Sequence, residues 1–168
     1  MKKIKLVIVA ILFFSLNLFG QNNAVDNLFE KYTESDDFTS VYISGKMFSS
    51  ITKSNNTSKV DDVLSSLKGM NILTTEKNPQ SFFKEAKSAL YNNGYDELMR
   101  VKEKGSNVFF FVKDSDGNIA KELVLLVGEN NKTVLISFGG TINLDKISEL
   151  GKTINIKGAD KLENLKNR

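Results

Sequence analysis

The side chains most often used for covalent and metal chemistry are missing from this chain. It has no histidine and no cysteine, so Ser-His-Asp and Cys-His nucleophilic catalysis lack their base or thiolate. Zinc and copper sites built on imidazole or thiolate fall with them, as does the usual ligation of haem and iron–sulfur clusters. There is no tryptophan, the best aromatic platform for sugars and quaternary amines. Carboxylate chemistry is what remains. Asp36-Asp37, Asp61-Asp62 and Asp96-Glu97 are adjacent pairs, but a glycosidase needs two carboxylates facing each other across a cleft. Adjacency does not create that facing. Glu122 is more unusual, because it lies between Ala120 and Val124 on one strand face. If buried it needs a partner, and Lys113 across the Asp116-Gly117 hairpin is the natural candidate; the alternative is an edge or surface glutamate.

Three further patterns dissolve on counting. Asp114-Ser-Asp-Gly-Asn118 resembles a calcium loop, but the sixth and twelfth positions from Asp114 are Ile119 and Leu125, where an EF-hand needs Gly and Glu. It reads as a hairpin turn. Ser65-x-x-Lys68 and Ser81-x-x-Lys84 match the start of serine penicillin-binding enzymes, without the companion Ser-Asp-Asn and Lys-Thr-Gly elements. Gly139-Gly140-Thr141 precedes a helix-capping Asn143 and could cradle an anion, yet its spacing fits no phosphate loop, and a bulge or tight bend at a strand end is the better reading. No catalytic, cofactor-binding or metal-binding residue is assigned, and no cofactor is expected.

The chain begins with Lys2, Lys3 and Lys5 around an apolar run from Ile4 to Phe14, and Ser15 to Gly20 leads into polar Gln21-Asn22-Asn23. That is the plan of a secretory signal peptide, residues 1–20, although Leu18 stands where a small residue is usual. The run is shorter than the roughly 20 residues of a membrane span, so no span is expected after cleavage; the alternative is a retained N-terminal anchor. The full chain has 23 basic and 20 acidic residues. Removing the three leader lysines leaves 20 of each, net zero, so the clustered basic excess of a nucleic-acid binder is absent. Without a cysteine there is no lipid-anchored N-terminus, and a soluble periplasmic or secreted domain is expected over residues 21–168.

The remaining elements follow from periodicity. Val25, Leu28, Phe29 and Tyr32 share one helical face. Phe38 to Ile43 reads as a strand and Gly45 to Ile51 as a short helix. Ser58 can cap a helix carrying Val60, Val63, Leu64 and Leu67, ended by Gly69, before a strand from Met70 to Thr75. Asn78-Pro79 starts a helix with Phe82, Phe83, Ala86, Ala89 and Leu90 as its stripe, and Asn93-Gly94 ends it. Four antiparallel strands follow at about 96–103, 107–113, 119–127 and 133–142, turned at Lys104–Asn107, at Asp114–Asn118 and at Gly128–Lys132. Asn143 can cap a helix with Leu144, Ile147 and Leu150, and Leu162 and Leu165 mark a last turn. The class is α+β: a mostly antiparallel sheet with a four-stranded C-terminal meander and helices packed mainly on one face.

An antiparallel strand with one wet face alternates. Val108 to Val112 and Leu123 to Val127 do not, so both sheet faces want cover: helices can cover one, and the other needs the terminal helix, a partner or an apolar ligand. Phe109, Phe110 and Phe111 are the interaction-surface candidates on this ground.

Phe38-Thr-Ser-Val-Tyr-Ile-Ser44 with Met47-Phe48, Leu73-Thr74, Tyr95 to Met99, Glu122 to Gly128 and Gly140 to Leu144 together resemble a family of exported Bacteroidetes-type proteins classed as a domain of unknown function. The likeness runs from about Asn27 to Leu165. It implies an envelope location and carries no reaction or site residue. Some members resemble lipoproteins; this chain differs in having no cysteine. The expected function is a non-enzymatic binding module of the cell envelope, with an unknown protein or apolar ligand as partner and homo-oligomerisation a possibility; the alternative is a carboxylate-based hydrolase acting on envelope glycan.

Overall fold

The computed structural model of the chain describes residues 23–54 and 64–146. Helix α1 spans Ala24–Tyr32, strand β1 Thr39–Ser44, helix α2 Gly45–Ser54 and strand β2 Leu67–Thr75. Helix α3 covers Pro79–Asn92, and strands β3 to β6 cover Asp96–Glu103, Ser106–Lys113, Ile119–Glu129 and Thr133–Asn143. The strands form one sheet in the order β1-β2-β6-β5-β4-β3, with every neighbouring pair antiparallel.

The meander is the expected one, joined by tight hairpins. Gly105 and Gly117 supply the positive φ their turns demand, and Asp114 also takes a left-handed conformation at φ 51°. The last strand returns beside β2, so the chain must cross the whole sheet between β2 and β3. Helix α3 makes that crossing. Its 14 residues reach about 21 Å, against about 19 Å for four strand spacings. Pro79 occupies its first turn, and Gly94, with φ 74°, follows its C-terminal end.

Alternation puts the side chains of β4 and β5 on two faces, and both are buried. On one face Phe109, Phe111, Val124, Leu126, Leu73 and Leu135 pack against Val25 and Leu28 of α1 and Phe82, Ala86 and Leu90 of α3. On the other, Val108, Phe110, Val112, Leu123, Leu125, Ile136 and Phe138 form a second cluster, with Phe48 from α2 and Leu64 and Leu144 against it. Helices α1 and α3 thus lie on one face, and α2 covers the other near the β1 edge. Each fully buried Phe or Leu contributes about 1.5–3 kcal/mol from burial, which is why continuous apolar strands need two covered faces.

Several details differ from the sequence expectation. Leu67 and Gly69, read as the end of a helix, belong to β2. Gly69 pairs with Ser44 of β1 and Gly139 of β6, and the Tyr42 ring of β1 lies over it, 3.3 Å from where a Cβ would stand. Gly128, read as a turn residue, sits within β5, where a Cβ would meet the Phe83 ring at 2.5 Å. Gly139 and Gly140 do not end their strand. They lie inside β6, opposite register shifts in both β2 and β5, so the bulge reading holds. Asn143 does accept a backbone hydrogen bond, from Asp145 N–H at 2.9 Å, and opens a short 3-10 turn at Leu144–Lys146. The signal segment, Ser58 to Val63, Ile147, Leu150, and the last turn with Leu162 and Leu165 lie outside the described residues. No described helix is long and apolar enough to cross a membrane.

Candidate functional site

Glu122 lies in the interior, 8 % exposed. The β4–β5 register sets it opposite Lys113, as the hairpin requires, but its hydrogen bonds come from farther away. The hydroxyl of Tyr95, the residue just before β3, donates to one carboxylate oxygen at 2.6 Å, and the Ser137 hydroxyl of β6 donates to the other at 2.6 Å. Asn23 adds a side-chain N–H at 3.1 Å while its own carbonyl oxygen caps α1 by accepting from Asp26 N–H. Lys113 instead lies over the Tyr95 ring, 5.0 Å from its centroid.

Loss of water pushes the Glu122 carboxyl above its ordinary range; the Ser137 and Tyr95 hydroxyls pull against that, Asp26 adds to it, and Lys113 opposes it. Burial and the bond to Glu122 likewise raise the Tyr95 hydroxyl. Both Glu122 oxygens are engaged and the group faces the core, so its geometry ties the first helix to three strands.

The three phenylalanines are interior side chains. Phe109 and Phe111 stack parallel, 6.0 Å apart, under α3, where Phe83 and Tyr91 meet them edge-on or tilted. Lys87 and Arg100 place their charges 4.4 and 4.8 Å from the Phe109 centroid. Phe110 belongs to the opposite cluster. All three are buried and offer no surface in this structure, because the continuous apolar run serves two cores.

Three of the five exposed large apolar side chains among the described residues gather elsewhere, at one edge of the sheet. Tyr42 is 67 % exposed, Val41 39 % and, just beyond β1 in α2, Met47 55 %. Strand β1, Thr-Ser-Val-Tyr-Ile-Ser, has no charged residue. Among the described residues nothing pairs with its outer side. The far edge differs. Strand β3 reads Asp-Glu-Leu-Met-Arg-Val-Lys-Glu, is charged at five of eight positions, and carries a register shift between Glu97 and Met99. Charges and bulges block edge-to-edge pairing; β3 has both and β1 has neither.

Of the acidic pairs, Asp36 and Asp37 line an open depression of about 400 Å³ with Phe38, Thr39, Thr74, Glu76, Lys77 and Lys132. Asp37 is bridged to Lys77 at 2.8 Å on an exposed surface. Glu97 is bridged to Arg100 at 2.6 Å and accepts from the Tyr91 hydroxyl. Asp61 and Asp62 lie outside the described residues. No group of three acidic side chains able to hold a metal ion occurs among the described residues.

Sequence reasoning missed both the β1 edge and the Tyr95–Glu122 bond. The lack of charge in one strand and the density of charge in another could be read, but not that these two strands end the sheet. Tyr95 and Glu122 are 27 residues apart and meet only through the sheet order.

Among the described residues, one antiparallel sheet with helices on both faces, two apolar cores and an uncharged edge strand defines the class, an α+β domain. The chain belongs to the family described as Domain of unknown function (DUF4252), which matches residues 32–150. That span contains all six strands and leaves Asn23, the donor to Glu122, outside it. No curated protein and no solved structure matches the chain.

Proposed function

We propose that this is an exported, non-enzymatic binding domain of the cell envelope, and that its working surface is the β1 edge. The single observation behind the reading is the contrast between the two edges: β3 is charged and bulged, whereas β1 is uncharged, has no register shift against β2 and carries exposed Val41 and Tyr42, with exposed Met47 just beyond it. An unprotected edge is a liability unless something is added to it, and strand addition is a common mode of recognition. Export is supported by the basic and then apolar start of the chain. The absence of histidine and cysteine from the sequence favours binding over nucleophilic or imidazole-based catalysis.

A photo-crosslinking residue at position 42, expressed in cells, tests the surface. Position 119 is the control, since Ile119 is also an exposed apolar residue, at 40 %. A discrete envelope adduct from position 42 and none from 119 is expected. Equal labelling from both, or none from 42, would remove the reading.

A further inference from the structure

We propose that the occupant of the β1 edge is a second copy of this chain, paired antiparallel through β1 about a twofold axis at Tyr42. The inference rests on the binding reading above and names its partner.

Self-pairing demands a strand that complements itself. Pairing about Tyr42 keeps each side chain on its own face of the sheet and sets Tyr42 against Tyr42, Val41 against Ile43 of the second copy, and Ser40 against Ser44. In the monomer, Val41 and Ile43 share the face of Ile72 and Met70, while Tyr42 lies on the other. The joined edge thus has a β-branched pair on one side and an aromatic pair on the other, both favourable cross-strand combinations. Since β1 has no charge, no like charges meet. Three exposed apolar groups lie where this arrangement forms: Tyr42 and Val41 in the strand, with Met47 in the first turn of α2 beside it. In the monomer the Tyr42 ring rests on Gly69 of the neighbouring strand β2.

Closure favours the same occupant. A twofold contact uses one edge of each copy, and the edge left at either end is β3, blocked by its charges and its register shift. Association therefore stops at two.

Sedimentation equilibrium of the processed chain tests the proposal. A dimer is expected. Tyr42→Lys places two ammonium groups opposite each other at an exposed site and should raise the dimer dissociation constant at least about tenfold; Ile119→Lys, the same charge at another exposed apolar site, should leave it unchanged. Thermal unfolding of each variant confirms that it has folded. Because the chain has no cysteine, Tyr42→Cys gives an independent readout: mild oxidation should link two copies through position 42, and Ile119→Cys should not link. A monomer at about 100 µM, a Tyr42→Lys variant as dimeric as the parent, or a position-42 crosslink to a different protein would overturn self-pairing. In the last case the binding reading stands; if position 42 gives no adduct at all, both fall.

Discussion

Replacing Tyr95 by phenylalanine removes one oxygen from the Glu122 site and leaves the ring in place. That hydroxyl is buried and donates to a carboxylate at 2.6 Å. A hydrogen bond to a charged group is worth about 1.5–3 kcal/mol net. For a domain of this size each kcal/mol shifts the melting temperature by about 2–4 °C, so Tyr95→Phe should melt roughly 5–10 °C lower at neutral pH. The effect has a definite pH sign. The Glu122 carboxyl is raised in the folded state, first by burial, so its contribution to stability is fully present below its unfolded value and is lost as pH rises through the folded one. Removing a donor raises the folded value further, and the variant loses more over the same rise. The gap between parent and variant should therefore be widest near neutrality and close in acid, once the carboxyl is protonated in both. Glu85, whose burial is outweighed by bonds from Lys31 and Tyr32, and Glu97, held down by Arg100, follow the opposite sign. They are common to both proteins and cancel in the difference. Thermal melts of the pair between about pH 7 and about pH 3.5 carry the test. Equal melting temperatures at neutral pH, or a deficit constant across the range, would refute the reasoning.

The glycines give sharper contrasts. Gly140→Ala puts a methyl 2.4 Å from the Ser66 carbonyl oxygen at a φ of 151°, whereas Gly139→Ala meets nothing within 4 Å; denaturant titration should show the first losing about 1–3 kcal/mol more than the second. Gly128→Ala drives a methyl into the Phe83 ring at 2.5 Å and should cost about 1–3 kcal/mol, most of it recovered in the double variant with Phe83→Leu, as a thermal-melt cycle would read. N-terminal sequencing of the protein from the envelope fraction should begin at Gln21; an intact Met1 start would contradict cleavage.

Most of the fold was legible because its signals are local. The Asp116-Gly117 hairpin, the Pro79 start and Gly94 exit of α3 and the four strands of the meander all follow from short-range turn chemistry and period-two patterning. The unbroken apolar run of Val108 to Val112 correctly announced two covered faces. What failed were features set by other parts of the chain. Gly69 and Gly128 resemble helix-end and turn glycines, but both are paired within strands, under the rings of Tyr42 and Phe83. Burial of Glu122 could be posed from sequence as an alternative, whereas its donors Tyr95, Ser137 and Asn23 come together only through the sheet order. The free edge was equally hidden, since which strand ends a sheet depends on pairing and not on the strand itself.

On the proposed reading, β1 is the surface that takes up a partner. Amide hydrogen exchange of the intact domain, followed from dilute to concentrated solution, measures this strand by strand. Protection should grow across Thr39–Ser44 while Asp96–Glu103 at the far edge exchanges at an unchanged rate; growth at Asp96–Glu103 instead, or an unchanged Thr39–Ser44, would contradict it.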